Sequence, residues 1–162
     1  MGDDVIIGSD GKPRCAWVGS DDTAARLARR DAFRRAFHGF DIRRVAAMTA
    51  RDIDRLVQDA SIIRNRAKIE ATVDNARAMT SASPTLAALA RSYEVNRAHA
   101  PRSLTDLPTS TPQASAFAKQ LKSQGYRFVG PTSVYSFMQN VGVVNDHLHG
   151  CFRATDYPRP RA

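Results

Sequence analysis

Cys15, His147 and Cys151 are the side chains of this sequence most able to bind a metal, because cysteine and histidine are the ligands that tetrahedral zinc prefers. His147 and Cys151 lie four residues apart near the end of the chain, whereas Cys15 lies near its start. A metal bound by all three would join the two ends of the chain. The same residue types also suit a buried cysteine with surface histidines, and the spacing leaves both interpretations open.

A basic cluster follows a predicted turn between two helices. The apolar spacing of residues 56–69 predicts one helix before a break at 59–61 and another after it, with Arg64, Arg66 and Lys68 just past the break. Free backbone N–H groups at a helix N-terminus favour a phosphate, and nearby cations add to that attraction. The pattern indicates either a hairpin that grips the DNA backbone without reading base sequence or an ordinary helical corner with a solvated basic face.

Trp17 is the only tryptophan, within the run Arg14-Cys-Ala-Trp-Val18. A lone tryptophan is most often a core residue. Its electron-rich indole is also the best side chain for stacking on a cationic ring. Both roles remain open from the residue alone.

Composition narrows the class of protein. The chain has 162 residues, a net charge of +8 and a pI near 10.2, which fits one domain with a nucleic-acid partner. Two cysteines exclude a secreted disulfide framework. No apolar run approaches the ~20 residues of a membrane span, and the acidic start Met1-Gly-Asp-Asp does not resemble a signal peptide. We therefore expect a soluble, cytoplasmic protein.

Most of the sequence patterns around the candidate site residues predict helices. We expect an all-α domain of about six helices over residues 14–155, with flexible tails at 1–13 and 156–162. The apolar residues Leu27, Phe33, Phe37 and Phe40 predict a helix between Asp21 and Asp41. Later helices are predicted to start at a capping box over Thr49–Asp52, and to span 62–79, Pro84 to Tyr93, Thr111 to Gly125, and Pro131 to Gly142.

Several longer stretches carry a resemblance to one family. They begin with Arg14-Cys-Ala-Trp-Val18, and the most specific are Tyr135-Ser-Phe-Met-Gln139 followed by Gly142-Val-Val-Asn-Asp-His147. The others are Phe37-His-Gly-Phe-Asp41, Val45-Ala-Ala-Met48, residues 56–69, Asn75-Ala-Arg-Ala78, Leu107-Pro-Thr-Ser-Thr111 and Phe128-Val-Gly-Pro-Thr132. On these motifs the sequence resembles the bacterial DNA-3-methyladenine glycosylase I family.

The resemblance implies a helix–hairpin–helix glycosylase fold whose termini are joined by a structural zinc. It implies a monomer that acts on alkylated double-stranded DNA in base-excision repair, by hydrolysing the N-glycosidic bond of 3-methyladenine. Cys15, His147 and Cys151 match three of the family's four zinc ligands, and we expect His149 or water to complete the set. Base binding is implied for Trp17 and Tyr135. The hairpin residues implied in DNA binding are Ser61, Arg64, Arg66 and Lys68.

The sequence departs from the family pattern near residues 20–32, where an internal block is missing. In the family that block holds the remaining zinc ligand, most aromatics of the base pocket and the pocket carboxylate. Glu70 and Glu94, the only glutamates, match no pocket position, so we assign no catalytic residue. We expect impaired turnover. The alternative is a catalytically inactive, shortened family member, a zinc-stapled domain that binds DNA without specificity.

Overall fold

The computed structural model of the protein describes residues 4–16, 29–95 and 100–156. Two short strands, β1 (Val5–Ile7) and β2 (Pro13–Cys15), precede the helices. The α-helices are α1 (Arg30–Ala36), α2 (Ile42–Ala46), α3 (Ala50–Gln58), α4 (Arg66–Ser81), α5 (Leu86–Ser92), α6 (Pro112–Ser123), α7 (Pro131–Val141) and α8 (Arg153–Asp156). None of the helices in these described ranges combines the length and apolar composition needed to cross a membrane.

The chain divides into two compact units, which we describe one at a time. Unit 1 comprises Met1–Thr23, Ala90–Phe117 and Gly130–Ala162. Unit 2 comprises Ala24–Leu89 and Ala118–Val129.

The core of unit 2 forms where α1, α2 and α3 pack with α4. Its buried side chains are Ala32, Phe37, Val45, Met48, Leu56, Ile62, Ile69, Val73 and Ala76. The predicted capping box is confirmed at the start of α3: Asp52 N–H donates to the Thr49 hydroxyl, and Thr49 N–H donates to the Asp52 carboxylate at 2.9 Å. Arg77 of α4 donates to the carbonyl of Ala46, the last residue of α2, at 3.0 Å and to the carbonyl of Met48, two residues beyond it, at 2.8 Å.

The helix predicted over 62–79 begins later, at Arg66. Two side chains stabilise the non-helical segment before it: Asp59 accepts from Ser61 N–H at 2.8 Å, and Asn65 accepts from Lys68 N–H at 3.1 Å. Asn65 is thus the N-cap of α4, a position that asparagine favours strongly. The segment between α3 and α4 is therefore longer than predicted.

The helix predicted between Asp21 and Asp41 is also shorter where the structure describes it. After α1 ends at Ala36, His38, Gly39 and Phe40 have φ values of 52°, 70° and 62°. A left-handed backbone at three successive residues cannot continue a right-handed helix. Leu27, predicted on the same helix face, lies outside the described residues.

In unit 1, residues 5–15 form an antiparallel β-hairpin, which corrects the purely helical expectation and lies mostly within the tail predicted over 1–13. Val5 pairs with Cys15, Ile6 with Arg14 and Ile7 with Pro13. Gly11, at φ 74°, allows the tight reversal. The hairpin is held to the rest of unit 1 because Phe152 N–H donates to the Pro13 carbonyl and Leu104 N–H donates to the Asp4 carboxylate.

The later helix boundaries agree closely with the sequence prediction. The Thr111 hydroxyl caps α6 by accepting from Ala114 N–H at 3.1 Å, and Gly125 follows that helix at φ 88°. Helix α7 begins at Pro131 and ends at Gly142, whose φ of 80° is the left-handed C-terminal conformation that favours glycine. The helix buries Val134, Tyr135 and Met138, which places the signature motif in the core of unit 1.

Candidate metal centre and nucleic-acid interface

The structure brings Cys15, His147 and Cys151 together in unit 1. Their ligand atoms all lie within 4.8 Å of one another. The His147 Nδ1 atom is 3.6 Å from the Cys15 Sγ atom and 3.5 Å from the Cys151 Sγ atom. Tetrahedral zinc bonds of ~2.3 Å to sulfur and ~2.05 Å to nitrogen place S and N ligands roughly 3.6 Å apart. The spacing of these atoms therefore fits a shared zinc ion.

The surroundings of the cluster favour the protonation states that bind a metal. Leu148 N–H donates to the Cys15 Sγ atom at 3.2 Å, and a hydrogen bond of this kind stabilises a thiolate. Burial, followed by the nearby Arg153 cation, lowers the pKa of His147 below its usual 6.5. A lowered pKa keeps the imidazole neutral, and neutral imidazole is the form that coordinates zinc.

His149 does not join the other three residues. It is exposed, and its backbone N–H donates to the Pro101 carbonyl at 2.7 Å. Among the described residues, the metal-competent group contains Cys15, His147 and Cys151 alone. These three fit a metal centre whose fourth position is left to water or to another ligand.

A buried polar network links α7 to the segment that carries His147. Asp146 is 2% exposed and precedes the histidine directly. Its Oδ2 atom accepts hydrogen bonds from the Tyr135 hydroxyl and, at 2.8 Å, from the Gln139 amide. His147 N–H donates to the Asn145 side chain at 3.1 Å. These contacts fix the backbone from which His147 projects, which is the orienting function typical of residues around metal ligands.

Of the two residues predicted to bind the damaged base, Tyr135 lies within the described residues and Trp17 does not. Tyr135 is 3% exposed and uses its hydroxyl in the Asp146 network. Trp17 lies in the segment 17–28, outside the described residues. Base binding by either residue stays a prediction.

Within the DNA-binding hairpin predicted over residues 56–69, the non-helical segment is 59–65, between α3 and α4 in unit 2. Ser61, Arg64 and Lys68 are exposed, and no described carboxylate forms an ion pair with Arg64 or Lys68. Arg66 differs, because its guanidinium contacts Asp54 of α3 and lies 3.6 Å from Glu70. Of the three predicted cations, two are available for phosphates and the third links α3 to α4.

Two hydrogen bonds that the sequence does not predict hold the loop after α6 against α4. The Asn75 side chain of α4 accepts from Arg127 N–H at 2.7 Å and donates to the Arg127 carbonyl at 3.1 Å. The loop presents Phe128, which is 57% exposed and has a φ of 57°. No local pattern could predict this interaction, because its partners are 52 residues apart.

Comparison with known proteins decides the family. A family model described as methyladenine glycosylase matches residues 22–154. The chain belongs to this family. DNA-3-methyladenine glycosylase 1 of Escherichia coli is 46% identical over 133 residues, which cover 77% of this chain and 70% of that protein. DNA-3-methyladenine glycosylase of Haemophilus influenzae is 41% identical over 131 residues, with the same two coverages.

Solved structures agree with this membership. A crystal structure of 3-methyladenine DNA glycosylase I is 45% identical and has a TM-score of 0.72, covering 78% of this chain and 72% of that chain. The corresponding enzyme of Staphylococcus aureus is 31% identical with a TM-score of 0.72, covering 83% of this chain and 73% of that chain. The all-α prediction is confirmed in part, because the described structure is mostly helical and adds one two-stranded hairpin. The incomplete coverage fits a shortened member of the methyladenine glycosylase family.

Proposed function

We propose that this methyladenine glycosylase family member hydrolyses the N-glycosidic bond of 3-methyladenine in DNA, in base-excision repair. The observation that carries the proposal is the family match over residues 22–154, together with 46% identity to a DNA-3-methyladenine glycosylase. A similar structure, 31% identical and with a TM-score of 0.72, is a variant of 3-methyladenine DNA glycosylase I in complex with 3-methyladenine.

This reaction needs little general acid catalysis. Methylation at N3 makes the purine cationic, and a cationic base is already a good leaving group. The protein has to extrude the nucleotide from the stack, hold the base and admit water to C1′. We assign the stacking of the cationic base to Trp17, because indole is the side chain best suited to a cationic ring.

We further propose that Cys15, His147 and Cys151 hold a structural zinc ion. The support is the spacing of their ligand atoms and the hydrogen bond from Leu148 N–H to the Cys15 Sγ atom. Zinc at this position would tie the β-hairpin to the segment after α7 within unit 1. Asp146, held by Tyr135 and Gln139, positions the backbone of His147 and takes no part as a ligand.

For duplex DNA we propose a sequence-independent contact at the hairpin 59–65, of the helix–hairpin–helix kind. Ser61 N–H is held by Asp59, which shapes the turn, and the exposed Arg64 and Lys68 supply the charge. Contacts of this kind set the orientation of a protein on DNA without reading its bases.

The catalytic proposal is tested by release of free base from DNA treated with a methylating agent. Chromatography should detect 3-methyladenine from methylated DNA and none from untreated DNA. Trp17→Ala should slow release about tenfold, because the variant loses a cation–π stack worth about 1–2 kcal/mol. Phe128→Ala, at an exposed aromatic of unit 2, should leave the rate of release unchanged. If folded protein that binds DNA releases no base above the buffer background, the chain is the inactive DNA-binding domain instead.

The hairpin contact is tested by the salt dependence of duplex binding. Removing one phosphate-binding cation should reduce the slope of log K against log salt by about one. The double variant Arg64→Ala/Lys68→Ala should therefore reduce that slope by about two. Lys119→Ala/Lys122→Ala removes the same charge from exposed positions of α6 and should leave the slope unchanged. Equal slopes for the parent and the hairpin variant would exclude Arg64 and Lys68 as phosphate-binding residues.

A further inference from the structure

Unit 2 exposes an apolar pocket of about 150 Å³, which we call the Phe40 pocket. Side chains from α1, the turn after it, the hairpin and α4 line it: Phe33, Phe37, Phe40, Ile63, Lys68 and Thr72. Phe40 is 51% exposed and Ile63 is 58% exposed, so two large apolar side chains of the pocket face solvent. Neither side chain has a role in the proposed glycosylase reaction.

Three aromatic rings line the pocket in nearly parallel planes. The ring centroids of Phe33 and Phe37 are 6.4 Å apart with an interplanar angle of 6°, and those of Phe37 and Phe40 are 6.1 Å apart at 9°. The left-handed turn at residues 38–40 fixes the exposed ring, and the Arg44 guanidinium lies 3.3 Å from His38 within that turn. A further flat ring placed on Phe40 would continue the parallel arrangement, as bases do on protein aromatics.

Charge decides what kind of molecule this pocket accepts. Lys68 of α4 and Arg64, which follows Ile63 in the hairpin, are exposed, and no described carboxylate forms an ion pair with either of them. Lys68 lines the pocket itself. A second copy of this chain, docked through the same face, would bring these cations against their own copies. A polyanion would instead neutralise them.

We propose that the Phe40 pocket binds an unstacked nucleobase of single-stranded DNA, with Lys68 and Arg64 on the flanking phosphates. Every base has a π-face, so a pocket made of phenyl rings and Ile63 selects for an unpaired base without preference for its identity. The site requires neither a methylated base nor turnover. Its failure in a test is therefore separate from failure of the proposed glycosylase activity.

The test measures binding of a fluorescently labelled oligodeoxythymidine by anisotropy, beside a duplex of the same length. Phe40→Ala should weaken single-strand binding about tenfold, the effect of removing one base–aromatic stack, and should leave duplex binding unchanged. Phe128→Ala is the matched control, since Phe128 is also an exposed phenylalanine of unit 2 with positive φ. It should leave both affinities unchanged. Equal weakening on strand and duplex, or no weakening on the strand, overturns the proposal.

A second measurement uses the unaltered chain and so does not depend on whether Phe40→Ala folds. A single strand carrying 5-iododeoxyuridine is irradiated with the protein, and the crosslinked peptide is identified by mass spectrometry. We expect the crosslink at Phe40 or Ile63. A crosslink confined to other peptides, or tighter binding of oligouridine RNA than of oligodeoxythymidine, would overturn the assignment.

Discussion

Removing the proposed zinc ion from the Cys15–His147–Cys151 cluster is expected to destabilise unit 1 by about 5 kcal/mol. The metal would connect Cys15 to His147, which are 132 residues apart in the sequence. Closing a loop of that length with a covalent link is worth about 5 kcal/mol in chain entropy. Structural zinc supplies about 10–16 kcal/mol to zinc-finger peptides, so a centre with three protein ligands can account for this smaller destabilisation.

The measurement is thermal unfolding with and without a chelator, together with the zinc content of protein purified without one. Cys151→Ala should lower the unfolding midpoint by a similar amount and abolish zinc binding. His149→Ala is the matched control, because this exposed histidine lies two residues from both His147 and Cys151 and does not join the cluster. Protein free of zinc, with the same midpoint for Cys151→Ala as for the parent, would contradict the metal centre.

The parts of the fold that local sequence predicts well are those that local interactions create. The capping box at Thr49–Asp52 and the boundaries of α6 and α7 depend on side chains or glycines within a few residues of the helix ends. Capping and the left-handed glycine act over single turns, so their signals are visible in the sequence. Membership in the methyladenine glycosylase family is likewise visible in the sequence, because the family signature lies on one helix and the segment that follows it.

The elements that escape prediction depend on distant partners. The strands of the β-hairpin have three residues each, too few for an alternating pattern to be recognised. They are held by hydrogen bonds to residues about a hundred positions or more away, such as Leu104 and Phe152. The left-handed turn at 38–40 contradicts the intrinsic preference of histidine and phenylalanine, and so only packing can select it.

In the candidate site, too, the features that depend on residue type are predicted from the sequence and those that depend on distant contacts are not. Residue types are sufficient to single out Cys15, His147 and Cys151, and the structure brings these three together. Sequence proximity suggests His149 as a fourth ligand, but its exposed position separates it from the cluster. Proximity also groups Arg66 with the cations proposed to bind phosphates, because it lies between Arg64 and Lys68. Its ion pair with Asp54, twelve residues earlier, depends on how α3 packs beside α4.

Turnover on methylated DNA is expected to be more than a hundredfold below that of a full-length relative such as the Escherichia coli enzyme. That relative is matched over 70% of its length. The family resemblance implies that the block missing near residues 20–32 holds the pocket carboxylate. A hundredfold reduction corresponds to about 2.7 kcal/mol of transition-state stabilisation. Loss of the one carboxylate that the family resemblance places in the pocket would be sufficient to account for it, because hydrogen bonds to charged groups are worth about 1.5–3 kcal/mol each.

Stacking of Trp17 on the damaged base cannot compensate for the missing carboxylate. A cation–π interaction with Trp17 contributes about 1–2 kcal/mol, whereas flipping one nucleotide out of the duplex costs a few kcal/mol. Single-turnover release of 3-methyladenine measures the difference, with the relative assayed on the same DNA. A chimera that carries the relative's pocket segment at residues 20–32 should recover most of the rate. Turnover of the unaltered chain within a hundredfold of the relative, abolished by Trp17→Ala, would mean that its own helices build a complete base pocket.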